Sequence, residues 1–164
     1  MSGISFNPPV TDNQQPAFPP AADDVALDDF WPALNITAIR EAIRLDAAIT
    51  AARLREATRI AMLEVARELA GWRTEKSAAG YASLQAVPAR QIIGGQSDYV
   101  ALWNRAVYSA VGADLGERQI GGGLSTAGAE RAEQLMADVE IHRRNQIFAV
   151  RDFLGRSRVI AEAL

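Results

Sequence analysis

Residues 50–81 read "TAARLREATRIAMLEVARELAGWRTEKSAAGY", and this stretch decides the fold. Leu54, Ala61, Val65, Leu69 and Trp72 recur at spacings of seven, four, four and three, the stripe of a helix with one buried face. Thr50 stands where an N-cap hydroxyl would accept a backbone N–H, and Gly80 stands where helices end in a left-handed residue. Such a helix spans roughly 43 Å at ~1.5 Å per residue, and only Gly71 weakens it.

The same period continues on either side. "TAIREAIRLD", from Thr37, puts Ile39 and Ile43 on one side and Arg40 and Arg44 on another, a short amphipathic helix. Residues 81–96 read as a connector, because Pro88 ends any helix before it and "IIGGQS" carries paired glycines. A third helix follows with Ser97 as its cap and Tyr99, Trp103, Ala106 and Ala110 as its inward stripe, widened by Val107 and Val111. The Gly-rich "IGGGLSTAG" reads as a flexible loop. The fourth helix, over roughly 127–154, places Leu135, Val139, His142, Gln146, Ala149 and Phe153 on one seam, flanked by Ile147, Val150 and Leu154. Gly155 is placed to stop it. No stretch alternates with period two between turns, so the expected class is all-α: a bundle of long antiparallel helices over 37–155, with an extended N-terminal arm over 1–36 and a tail over 156–164.

Charge marks the arm. Residues 1–39 hold five acids (Asp12, Asp23, Asp24, Asp28, Asp29) and no Lys or Arg, within a chain of net charge −3. Six of the seven prolines also fall in the first 32 residues, where fixed φ and missing N–H groups disfavour a packed helix. A neighbouring subunit is the partner expected to hold this arm. Phe30 and Trp31, just before Pro32, either anchor the arm there or cap the chain's own core; the sequence leaves both open.

Composition excludes several functions. A pI near 5.2 argues against a protein that coats nucleic acid. With no cysteine there is neither disulfide nor thiolate chemistry, which fits a reducing compartment. The N-terminus has no basic or apolar leader pattern, and nowhere do eighteen apolar residues run together; a chain made and kept in water, without a membrane, is expected.

The search for chemistry returns little. Gly123 and Gly128 are spaced as in a phosphate loop, but Ala129 and Glu130 follow where Lys and Ser or Thr belong. His142 is the one histidine, which leaves no His pair for a metal and reads as a packed or interfacial residue rather than a general base. Glu64 with Glu68, and Glu130 with Glu133, stand at helical spacing among arginines and read as solvated or ion-paired faces; Glu140 and Arg144 form an i,i+4 surface pair. Neither catalysis nor a cofactor is expected. Sixteen of the 17 basic residues are arginine. Arg40 with Arg44, and Arg55 with Arg59, form small basic faces that suit phosphate or the acidic arm of a neighbour; the net negative charge, with no aromatics among them, favours protein.

Three stretches then carry a resemblance: "FWPALNITAIREAIRLDAAITAARLREAT" at 30–58, "RTEKSAAGYASLQAVPARQI" at 73–92 with "LWNRAVYSAVGADLGER" at 102–118, and "RNQIFAVRDFLGRSRVIAEAL" at 144–164. The sharpest features are Trp31–Pro32, "RLREA" from Arg53, the aromatic-x-RAV of Trp103 to Val107, and Gly155-x-x-Arg158. The chain resembles the head completion proteins of contractile-tailed temperate phages, departing from them in the Gly-rich 121–123 loop and the Pro-rich arm. The resemblance implies an α-helical, non-enzymatic head-to-tail connector adaptor. It would dock under the portal ring after DNA packaging, form a ring with neighbouring copies (twelvefold, by the resemblance), and help retain the genome, with tail-side neck proteins below. It would sit in the virion neck and, during assembly, in the host cytoplasm. A DNA-contacting helical protein, lining the channel non-specifically or acting as a small regulator, is the alternative.

The final residues fit that expectation. Beyond the helix stop, Arg156 and Arg158 suit carboxylates, and Val159, Ile160 and Leu164 suit apolar pockets, so the tail is the expected portal-binding segment. Phe30, Trp31, Arg40, Arg44, Arg55 and Arg59 are the expected subunit contacts.

Overall fold

The computed structural model describes residues 23–120 and 128–158; the arm's first 22 residues, the Gly-rich loop at 121–127 and tail positions 159–164 lie outside these. The described chain is mostly helical. In order it forms β1 (Asp24–Val25), β2 (Leu34–Asn35), α1 (Ile36–Ala42), α2 (Ala51–Glu68), α3 (Ala70–Ala78), a 3₁₀ turn (Leu84–Ala86), β3 (Ile92–Ile93), β4 (Gln96–Ser97), α4 (Asp98–Ile120) and α5 (Gly128–Phe153). The two antiparallel ladders, with Asp24 opposite Asn35 and Ile92 opposite Ser97, were not expected. Each strand is two residues long, too short for alternation to register. Gly94 and Gly95, at φ 58° and 79°, are the two central residues of the β3–β4 turn, a geometry that paired glycines supply without strain.

Several predicted ends hold. The Thr50 hydroxyl accepts from the N–H of Arg53 at 3.3 Å, and that of Ser97 accepts from Tyr99 at 3.3 Å. Gly80 and Gly155 take φ of 93° and 66° just past the ends of α3 and α5. The long helix itself is divided. Leu69 leaves helical geometry at φ −95°, ψ 4° between α2 and α3 while remaining 1% exposed. The break lets Leu69 stay in the core while Trp72, in the first turn of α3, reaches the rings of Tyr99 and Phe153 at 5.1 and 4.7 Å.

That aromatic cluster takes Phe30 and Trp31 into the chain's own core, one of the two placements the sequence left open. They are 3% and 2% exposed, and the Trp31 ring stacks on Trp103 with centroids 4.3 Å apart and planes 9° from parallel. The Asp28 carboxylate accepts from the N–H groups of Phe30 and Trp31 at 2.9 and 3.2 Å, a local turn that aims both rings inward. Phe30 returns a carbonyl to Leu84 at 2.8 Å. Neither indole N–H finds an acceptor among the described residues, so aromatic packing there outweighs two unpaired donors. Val25, Leu34 and Ile36 are buried beside them. Within residues 23–36, drawn into the arm by their charge and proline content, Val25, Phe30, Trp31, Leu34 and Ile36 thus pack in one core with the helices.

Helices α4 and α5 pack antiparallel: Tyr99 lies beside Phe153, Gly112 beneath His142, and Gly116 beneath Val139. The predicted α4 stripe is buried throughout. On α5, Val139, Ala149, Val150 and Phe153 are buried while His142 and Gln146 are half-buried. Ile147, expected beside the seam, is 52% exposed. The i,i+4 pair expected at Glu140 and Arg144 gives way to one between helices, Arg143 on α5 with Glu117 on α4. Glu68 accepts from Gln146 at 3.2 Å; burial, with the charge of Glu64, raises its carboxyl above the ordinary range despite that bond.

Candidate functional site

The tail leaves the body where three parts of the chain meet: the end of α5, the start of α4 and the connector before β3. Gly155 closes α5, its N–H reaching the Asp152 carbonyl at 3.1 Å while that of Arg156 reaches Arg151 at 2.8 Å. These are the two bonds of a Schellman turn. Arg90 then ties the three parts together. Its Nε donates to the Asp98 carboxylate at 2.7 Å, its backbone N–H to the same carboxylate at 3.1 Å, and its Nη1 to the Asp152 carbonyl at 3.1 Å. The guanidinium also covers the Tyr99 ring at 4.6 Å. Arg105, Arg156 and Arg158 line the same open cleft with Ile93.

Burial alone would raise the Asp98 carboxyl, but the Arg90 guanidinium and the backbone N–H groups of Arg90 and Gln91 hold it below its ordinary 3.8. Asp152 is lowered as well, by Arg158 first and then by Arg105 and Arg90. For a carboxylate with a depressed folded value the unfolded chain binds more protons on the acid side, so the stabilisation is present above the ordinary value and lost as pH falls through the depressed one. Melting temperature is therefore expected to fall below about pH 4. In Asp98→Asn it should start lower at neutral pH and fall less over that range; two parallel curves would remove Asp98 from the account.

The other expected contact residues do not gather into one surface. Arg40 donates to the carbonyls of Asp46 and Ile49 at 3.1 and 2.6 Å, bracing the turn between α1 and α2. Arg44 does not share its face, because α1 ends at Ala42 and Arg44 sits in the following turn at φ 51°. Arg55 meets Asp23 of its own chain at 3.6 Å, and Arg59 meets Glu56 at 3.5 Å. Arg158 pairs with Asp152, and Val159, Ile160 and Leu164 lie outside the described residues. Among the described residues no group of three or more His, Asp or Glu could hold a metal ion, and no helix is long and apolar enough to cross a membrane. Sequence reasoning missed the Arg90–Asp98 clamp; the signal available was the glycine pair between them, which folds residues eight apart back onto one another.

The profile of the family described as phage head completion protein (GPL) matches residues 25–164. The head completion/stabilization protein of Escherichia phage P2 is 33% identical over 147 residues, covering 88% of this chain and 86% of that protein. No solved structure matches. With nearly the whole folded body and the tail inside the match, the chain belongs to the family of phage head completion proteins (GPL), structural components of the virion.

Proposed function

We propose that the chain is a head-to-tail connector adaptor of the virion neck, which docks under the portal after DNA packaging, lies in a ring with copies of itself, and closes the filled head above tail-side neck proteins. The observation that carries this reading is the root of the tail. A clamped helix end at Gly155 and Arg90 presents a segment whose Arg156, Arg158, Val159, Ile160 and Leu164 combine guanidinium groups with aliphatic side chains. That composition suits insertion into a groove on another protein. Family membership supports partners among phage head and tail proteins.

The ring needs two different complementary patches per subunit. With Phe30 and Trp31 committed to the core, the apolar side chains left for neighbours include Ile60 and Leu63 on α2 and Ile92 and Ile93 at the β3–β4 turn, all exposed. Exposed charge pairs contribute only ~0–1 kcal/mol each, so these scattered patches make a free protein that associates weakly. Portal sites held side by side would raise the effective concentration of the copies and template the ring.

Co-sedimentation with the phage's isolated portal ring tests the reading, comparing the full chain with one ending at Gly155. Only the full chain is expected to pellet. If neither pellets while the protein binds DNA with steep salt dependence, the DNA-contacting alternative replaces the adaptor.

A further inference from the structure

Two open clefts along the first half of α4 share a wall. The first, of about 590 Å³, lies between the turn after α1, α4 and the middle of α5, with Arg44, Asn104, Arg105, Tyr108, His142 and Asn145 around it. The second is the cleft at the root of the tail. Ala101 and Arg105, one turn apart on α4, line both. The two therefore form one strip, which runs from Arg44 across Arg105 to Arg156.

The charge of this strip is one-sided. The first cleft has no carboxylate in its wall. The second has Asp98 and Asp152, and both are taken, Asp98 by Arg90 at 2.7 Å and Asp152 by Arg158. Arg44, Arg105 and Arg156 are exposed, and none of their guanidinium groups makes an ion pair or hydrogen bond among the described residues. Arg105 acts on Asp152 only through its field, after the hydrogen bond from Arg158 that lowers that carboxyl most. On its other side Arg44 borders a hollow with Asp46 and Asp138 and pairs with neither. Asn104 buries its Oδ1 without a donor among the described residues, so the NH2 end of that amide is the one left at the surface. Arg44 is also held under strain. Its φ of 51° is left-handed backbone, which glycine adopts freely and arginine does not. Arg40 fixes that turn through the carbonyls of Asp46 and Ile49, yet nothing among the described residues uses the Arg44 side chain.

We infer that this strip binds an acidic, extended segment of another protein, whose carboxylates pair with Arg44, Arg105 and Arg156. A guanidinium offers a carboxylate two parallel N–H groups, and three unpaired guanidinium groups stand together here on a chain of net charge −3. That net charge repels nucleic acid. Ile93, 57% exposed, and half-buried Leu102 border the strip with aliphatic surface that a peptide side chain covers and a phosphate backbone does not. The inference does not rest on the adaptor reading; under that reading it gives the folded body a contact of its own beside the tail.

Octaglutamate is the probe. Titrated into the isotope-labelled full chain at low salt, it should shift the amide signals of Arg44, Ala101, Arg105 and Arg156 and leave those of Ile60 and Leu63 on α2 in place. Arg105→Gln and Arg44→Gly should each weaken peptide binding about threefold or more, whereas Arg67→Gln, which removes the same charge from α2, should leave it unchanged. Because Arg44→Gly relieves the left-handed strain, it should melt no lower than the parent, which separates lost recognition from lost folding. Equal weakening in all three variants would assign binding to net charge and overturn the inference. A peptide that shifts signals elsewhere, or none, overturns it too. So does a short DNA duplex that moves the same signals at lower concentration, which assigns the strip to nucleic acid. These variants keep the tail intact, so a failure here and a failure of portal co-sedimentation are told apart.

Discussion

Trp31→Ala is expected to lower the unfolding free energy of the isolated chain by about 3–5 kcal/mol, a fall in melting temperature of roughly 10 °C or more for a protein of this size. The side chain is 2% exposed and stacks on Trp103 at 4.3 Å, so truncation empties the centre of the aromatic cluster and removes the ring that Trp103, Phe30 and Phe153 all meet. A ring lost from such a site removes transfer free energy and leaves a cavity that rigid neighbours fill poorly. The loss should be the same at every protein concentration. Had Trp31 been a contact between copies, the dilute chain would melt unchanged and only association would weaken. Melting of Trp31→Ala at two concentrations a hundredfold apart decides between them, and an unchanged dilute melt would overturn the placement of residues 23–36 in the body.

Gly116→Ala should destabilise by about 1–2 kcal/mol although alanine is the better helix former. A Cβ at 116 would lie 2.6 Å from Cγ2 of Val139, closer than two carbons can approach. Val139 is 5% exposed and β-branched, with little freedom to turn aside. The overlap costs more than the ~1 kcal/mol that alanine gains over glycine in a helix. Val139→Ala alone is also destabilising, since it removes buried methyl groups, yet in the double variant each change relieves the other. The double variant should therefore be more stable than the sum of the single losses predicts, by 0.5 kcal/mol or more. At Gly112 the same insertion meets the His142 ring at 2.8 Å, but that ring is the far end of a half-buried side chain, so Gly112→Ala should cost less. Denaturant unfolding of the four chains around Gly116 checks the coupling; strict additivity would mean the helices separate freely.

Much of this architecture was legible because it is local. The stripe from Leu54 to Trp72, the α4 stripe from Tyr99 to Val111, and the caps at Thr50, Ser97, Gly80 and Gly155 each depend on residues within a few turns of one another. The misreadings share the opposite property. Phe30 and Trp31 were ambiguous because their partner, Trp103, lies some seventy positions away, and nothing in "DDFWPALN" states which surface will cover an aromatic ring. The division at Leu69 follows from the demand of the aromatic cluster on Trp72, again a tertiary requirement. Arg44 left its expected face because α1 stops two residues earlier. At the tail's root, Arg90 and Asp152 are 62 positions apart, and only the fold brings them together; the turn glycines could have pointed to Asp98 but not to α5.

The antiparallel placement of α4 and α5 has a mechanical consequence at that root. Since the start of α4 and the end of α5 lie side by side, a pull on the C-terminus would peel the pair apart one turn at a time, the geometry in which helices yield most easily. Arg90 interrupts this, because tension reaching Asp152 passes through its guanidinium into Asp98 and the connector before the first turn of either helix can lift. Further in, the rings against Gly112 and the methyls against Gly116 interlock the two rods. A load drawn through the tail is thereby shared among α5, α4 and the connector.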